Sequence, residues 1–435
     1  MRILVPRITS FRELERWDVK YFIERIKSIY PMVSLAKFIV EHNEKIRPYE
    51  TPEETFKILG VNNIDGIFHA YDALGKDIKQ PYKRVNAYDF AYNPYRVNIG
   101  SIGWVPQEHD GAYISPAYVV FSVDNAVVLP EVFWFILKSV FFNQTLRAAT
   151  AGSVRMNLTY PLLKTLKIPI PPLPIQYQIV ADWEKAKQAR VTAEDALNVL
   201  VDDLNVYLTK QVNGFDQITN SKYFLTNYVN IKQWDVKAGR AASFVSANPD
   251  FVRLGDCTEE CTETIRPWEE PDHNWPIYGV NNKDGIFLSS KQLGNQFNAA
   301  YKRIEKDCFF HNPTRANVGS LGIVPDVPDD AITSPEYQVW RLTGCFSPDF
   351  MALIIRTNYF LRLVAFNRVG GVKQRMYYAN LAEIRLPIVP VILQQEFLNR
   401  RMVIVESIRN AIQAVEQQKQ DIEKMILGSL PLEAV

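Results

Sequence analysis

Two stretches of the chain carry key positions, mostly apolar, at alternating spacings of four and three. The first runs through Ile179, Trp183, Ala186, Arg190, Ala193, Leu197, Leu200, Leu204 and Tyr207. The second runs through Phe397, Arg401, Ile404, Ile408, Ala411, Val415, Gln418, Ile422 and Met425, the same ladder 218 residues on. Such a ladder puts one narrow seam on an α-helix, and two matching seams bury each other. The pattern predicts long helices over 171–212 and 389–430, paired as an antiparallel coiled coil. Packing of each helix on its own domain is the alternative use of the same seam. Proline-dense entries precede both helices, "IPIPPLPIQ" at 168–176 and "LPIVPVILQ" at 386–394.

Upstream of each helix, over 1–170 and 213–388, the helical period disappears. Short runs rich in β-branched and aromatic residues alternate with Gly and Asn-Pro turns, which predicts an α+β domain with irregular sheets. Residues 46–118 align with 265–337 at a constant offset of 219, with 34 identities in 73 positions and no gap. "GVNNIDGIF" at 60–68 returns as "GVNNKDGIF" at 279–287, and Tyr-Lys-Arg at 82–84 returns at 301–303. Trp-Asp-Val-Lys occurs at 17–20 and again at 234–237. The chain is one module written twice. That period is far too long for a solenoid or propeller. It predicts two homologous α/β domains in tandem, related by a pseudo-two-fold axis if the helices pair antiparallel.

Each half is long enough for a globular core. The net charge of +1 means that any basic surface is local. All four cysteines, Cys257, Cys261, Cys308 and Cys345, lie in the second half. The spacing of Cys257 and Cys261 is a metal cue. The first copy carries Phe38 and His42 there, so free thiols without metal are expected. There is no signal peptide and no apolar run of membrane-spanning length, and a cytoplasmic location is expected.

One motif suggests catalysis. Asn93-Pro94-Tyr95 is close to the Asn-Pro-Pro-Tyr with which adenine-N6 methyltransferases grip a flipped base. The second copy reads Asn312-Pro313-Thr314, without the aromatic ring that would stack on the base. No glycine-rich strand-to-helix cofactor turn lies upstream, and Gly100 to Gly103 follows the motif. The reading that survives is a turn. His109 and His311 have no matched histidine in the other copy, which argues against a catalytic pair.

The order of parts resembles the specificity subunits of type I restriction–modification systems. The resemblance covers nearly the whole chain and rests on the duplicated arrangement: domain, proline-marked long helix, domain, long helix. Local cues are the Trp-Asp-Val-Lys entries, the "GVNN.DGIF" blocks, "PPLPIQYQIV" at 171–180 and "GGVKQRM" at 370–376. The resemblance implies two target-recognition domains (1–170 and 213–388) with no catalytic activity of their own. It implies a DNA target read in two parts, and docking of two methyltransferase subunits and, in some systems, translocating nuclease subunits. S-adenosylmethionine would then belong to the partner methyltransferase, with no cofactor in this chain.

On that reading, cations shared by both copies suit phosphate contacts, which position without reading sequence. These are Lys83, Arg84 and Arg96 in the first copy and Lys302, Arg303 and Arg315 in the second. Arg155 is matched with Arg375, beside Lys373. Structural ion pairs are the alternative for each. Asn62, Asn63 and Asn98, with Asn281, Asn282 and Asn317, suit adenine edges or, equally, their own turns. Base discrimination is expected in loops where the copies diverge between fixed landmarks, 69–81 and 288–300. Helix faces at 182–190 and 400–409 are docks for methyltransferase or simply solvated charge. Rival readings are a self-contained methyltransferase or nuclease, and a tandem protein- or carbohydrate-binding module.

Overall fold

The computed structural model describes residues 28–62, 66–97, 100–150, 157–212, 250–369 and 373–428, together with Tyr223, Leu225, Thr226, Tyr228 and Gly239. Both Trp-Asp-Val-Lys entries, Asn63, Asn98, Arg155 and part of the 370–376 cue lie outside the described residues. The chain forms two compact units, Met1–Arg190 with Asn410–Val435, and Val191–Arg409.

In the first unit a four-stranded sheet joins β2 (Ile39–His42), β10 (Val119–Val123), β7 (Phe90–Tyr92) and β8 (Ile102–Trp104) in that order. A five-stranded sheet runs β3 (Lys45–Ile46), β6 (Tyr82–Arg84), β9 (Tyr113–Ile114), β4 (Thr55–Val61), β5 (Ile67–Leu74). β1 (Met32–Ser34) pairs with β11 (Lys167–Pro169). Among the described residues its short helices are α1 (Pro130–Lys138), α2 (Val140–Thr150) and α3 (Tyr160–Thr165). Aromatic side chains fill the core: the Phe133 ring meets the edge of Phe90 at 5.0 Å, and Phe90 stacks on Phe121 at 5.5 Å.

The second unit repeats this topology strand for strand. Its four-stranded sheet is β13 (Thr258–Glu260), β21 (Gln338–Leu342), β18 (Phe309–His311), β19 (Leu321–Ile323). Its five-stranded sheet is β14 (Thr264–Ile265), β17 (Tyr301–Arg303), β20 (Ile332–Thr333), β15 (Asn274–Asn281), β16 (Gly285–Leu293). β12 (Phe251–Arg253) pairs with β22 (Arg385–Pro387), and α5 (Pro348–Ile354), α6 (Asn358–Asn367) and α7 (Tyr378–Leu381) follow the first unit's helices. Local chemistry repeats as well. Ser139 Oγ accepts from Phe142 N and donates to Ile136 O, as Thr357 Oγ1 does with Phe360 N and Ile354 O.

The predicted long helices are α4 (Leu173–Lys210) and α8 (Val391–Leu427). Each unit holds one half of both. In the first, Ile179 and Trp183 share a core with Ile422, Met425 and Ile426. In the second, Leu200, Leu204 and Leu208 share a core with Leu393, Phe397 and Ile404, and Arg400 bonds Asp203 at 2.5 Å. The start of α4 thus meets the end of α8, and the end of α4 meets the start of α8, which is antiparallel pairing. Both expected packings coexist, because the seam residues also join each domain's own core.

The entry to each helix is held by a glutamine. Gln176 is fully buried, donates from Nε2 to Val127 O (3.0 Å) and Pro171 O (2.8 Å), and accepts from Leu129 N (2.8 Å). Gln394, 218 residues on, donates to Val389 O at 2.8 Å. These bonds satisfy backbone groups that a prolyl entry leaves without partners.

Candidate nucleic-acid interface

The Asn-Pro motif is a turn at the end of a strand pair. In the first unit Asn93 Oδ1 accepts from Tyr95 N at 3.0 Å, and Arg96 N donates to Asn93 O at 3.0 Å. In the second, Asn312 Oδ1 accepts from Thr314 N (3.0 Å) and Thr314 Oγ1 (2.8 Å), and Arg315 N donates to Asn312 O at 3.1 Å. The asparagine oxygen is engaged by its own loop, as Asx turns require. The turn leaves Arg96 and Arg315 exposed at equivalent places between β7 and β8 and between β18 and β19.

A second loop joins this turn in the second unit. Arg368 donates from Nη2 to Thr314 O (3.0 Å) and Gln374 O (2.7 Å). Met376 N donates to Pro313 O at 2.8 Å, and Val369 and Arg375 bridge through their backbones. His311 is buried, and its Nε2 donates to Met376 O at 2.9 Å. Burial pushes its pKa down to about 4, so its ring is neutral. These ties gather Arg315, Asn317, Lys373 and Arg375 into one loop cluster, with Arg315, Lys373 and Arg375 exposed. The first unit wires its turn alike: Leu158 N donates to Pro94 O at 3.0 Å, and Tyr92 Oη donates to Leu158 O at 3.0 Å.

That wiring corrects one expected match. Leu158 and Met376 are equivalent, an offset of 218, so Arg375 aligns with Asn157 and not with Arg155. Three other expectations change. Lys83 is buried, and its Nζ donates to Tyr118 O at 2.8 Å, so it serves the fold and is not a surface cation. Burial pushes its pKa down, and that of half-buried Lys302 likewise. Arg303 is paired with Glu263 (3.1 Å) and Glu305 (3.6 Å), which raises its pKa, the Glu263 hydrogen bond foremost. Its counterpart Arg84 is exposed and has no ion pair among the described residues.

The divergent stretches are loops only in their second halves. Residues 69–74 and 288–293 belong to β5 and β16, the edge strands of the five-stranded sheets, and a 3₁₀ turn follows each. Alternation along a strand hides only one face, so most of these side chains are exposed, Leu288 and Tyr71 among them. The hairpin loop before β16 is built by Asn281, whose Oδ1 accepts from Lys283 N (2.8 Å) and Asp284 N (2.6 Å) and whose Nδ2 donates to Asp284 Oδ2. Gly285 ends it at φ +69°, a conformation glycine adopts without strain. Asn281 is thus a turn former, while exposed Asn282 lies beside Gly319 of the Asn-Pro turn.

Cys257 and Cys261 do not face a common centre. The Cys257 thiol lies against Cys345, and burial pushes its pKa up to about 12; Cys261 lies against Cys308, whose hydrogen bond and burial push its thiol up. Among the described residues no group of three or more His, Cys, Asp and Glu could hold a metal ion. No described helix is long and apolar enough to cross a membrane. On the helix faces at 182–190 and 400–409, Arg401 is paired with Asp349 and Arg409 with Glu406.

Fold and surface together define a duplicated α+β module that presents exposed arginine-bearing turns at equivalent places in its two units. Residues 43–185 match the model of the type I restriction modification DNA specificity domain. That stretch spans most of the first unit's sheets and the start of α4, and over it the chain is similar to the specificity domains of type I systems, in keeping with the resemblance read from the sequence. No curated protein matches the chain significantly. Among solved structures the chain is similar to a chain from work on complex assembly and conformational transition of the type I R-M system (14% identity, 93% of this chain and 100% of that one, TM-score 0.45). It is also similar to the HsdS subunit from Thermoanaerobacter tengcongensis (16% identity, 92% and 97%, TM-score 0.36). A third is the type I restriction–modification S subunit from M. genitalium (11% identity, 93% and 96%, TM-score 0.39).

Proposed function

We propose that this chain is the non-catalytic DNA-reading subunit of a type I restriction–modification system, with one unit addressing each half of a bipartite target. The observation that carries the reading is the specificity-domain match over 43–185, combined with a second unit of the same topology. The exposed Arg96 and Arg315 turns contact phosphates, Lys373 and Arg375 extend the second contact, and the edge strands β5 and β16 discriminate bases. Because the units are homologous, the half-sites are related when each is read on its own strand. The long helices dock two methyltransferase subunits, which carry S-adenosylmethionine and methylate adenine N6; a restriction subunit completes the system where the genome encodes one.

Co-expression with the neighbouring methyltransferase, followed by methylome sequencing, tests this. A bipartite adenine-methylated motif is expected. Methylation at a continuous motif, or none in a soluble complex, overturns it.

A further inference from the structure

The two units differ in the packing around one glycine, Gly66 in the first and Gly285 in the second. In the first, the Trp134 ring of α1 lies against Gly66, 3.2 Å from where a Cβ would stand. The Lys138 ammonium sits over that ring at 4.6 Å and donates to Gly100 O at 3.0 Å. Trp183 of α4 meets Phe135 at 5.1 Å. The second unit has Ala352 for Trp134, Leu353 for Phe135, Arg356 for Lys138 and Arg401 for Trp183, each 218 residues on. Gly285, the counterpart of Gly66, has nothing within 4 Å of its Cβ position. An open cleft of about 620 Å³ results, lined by Gly285, Gly319, Ala352, Leu353, Arg356 and Arg401 among others. Arg401 is engaged by Asp349 at 2.7 Å, whereas the exposed Arg356 has no hydrogen-bond or ion-pair partner for its guanidinium among the described residues.

We propose that this cleft receives an aromatic side chain from a partner protein, seated on Gly285 and Ala352 beneath the Arg356 guanidinium. The first unit shows the complement: an indole in the equivalent space, with a cation over its face. A planar guanidinium suits that role at least as well as an ammonium. The volume lies in the range of pockets that enclose organic groups. The indole that the first unit seats in the equivalent space favours a side chain over an extruded base. The walls combine apolar Leu197, Val201, Leu353 and Ile355 with polar Asn198 and Asn282, and the amide of Asn281 is engaged within its own hairpin loop. The inference is independent of the DNA-reading proposal, since it concerns a protein ligand.

The test uses the full-length chain with N-acetyl-tryptophanamide as probe, followed by saturation-transfer NMR. Saturable binding at roughly millimolar Kd is expected for a fragment of this size. Ala352→Trp fills the cleft from within and should abolish binding while melting at or above the wild-type temperature. Arg356→Gln should weaken binding about two- to fivefold, the scale of a cation–π contact, and it decides the matter should the tryptophan variant not fold. Absence of saturable binding overturns the proposal, as does equal binding to the Arg356→Gln variant or to a folded Ala352→Trp variant. Tighter binding of adenosine at the same site would also overturn it and assign the cleft to a base.

Discussion

Tyr92 and His311 stand at equivalent positions and donate to equivalent carbonyls, Leu158 O at 3.0 Å and Met376 O at 2.9 Å. The two side chains do one job with opposite pH behaviour. Burial lowers the His311 pKa to about 4, whereas it raises that of Tyr92. A histidine depressed in the fold binds fewer protons than when unfolded. Its stabilisation is therefore complete above the ordinary value near 6.5 and is lost as pH falls toward about 4.

His311→Tyr should remove this dependence. Wild type is expected to lose on the order of 2–3 kcal/mol between pH 7 and 4 from this group. The substituted chain should show a flatter profile in urea titrations across that range. An unchanged profile would mean that the ring is not held neutral.

Gln176 anchors the start of α4 through three hydrogen bonds. Gln176→Ala leaves buried backbone groups unpaired and should cost about 2–4 kcal/mol. The exposed Gln395→Ala should stay within about 0.5 kcal/mol. Urea midpoints compare the two, and equal shifts would reject the anchoring role.

Arg315→Ala should weaken binding to all duplexes by a similar factor and reduce the slope of log K against log salt by about 1. Lys83→Met should leave that slope unchanged and lower the melting temperature, because its ammonium holds Tyr118 O inside the fold. Fluorescence anisotropy at several salt concentrations, with melting curves, separates the two outcomes. A salt-independent affinity would argue against phosphate contacts.

Transplanting 288–300 into 69–81 exchanges the exposed face of one edge strand while keeping the shared Phe-to-Tyr frame. The methylome of a strain carrying the chimera should change in one half of the motif only. An unchanged motif would remove base reading from β5.

Several features were legible without coordinates. Gapless identity over 46–118 and 265–337 predicted the repeated domain, and the four-three ladder predicted α4 and α8 within a few residues of their ends. The Asn-Pro turn was readable because Asx turns are local and the second copy lacked the aromatic ring. The cations were harder, because type and repetition do not reveal burial: Lys83 points into the fold, Arg303 finds two carboxylates, and Arg96 and Arg315 stay exposed. Arg368 escaped notice because the first copy has Thr150 at its place, so repetition offered no signal.

By itself the sequence determined the duplication, the turn chemistry and the seam of each helix, since these follow from local preferences and from periods along one chain. Only the tertiary structure decided which cations remain at the surface, that the divergent stretches begin as edge strands, and that Ala352 in place of Trp134 lines a cleft. Those properties arise where segments distant in sequence meet, as when Trp134 of α1 covers Gly66 while α5 leaves Gly285 uncovered. Burial and partners at such meetings are set by packing that no single stretch encodes.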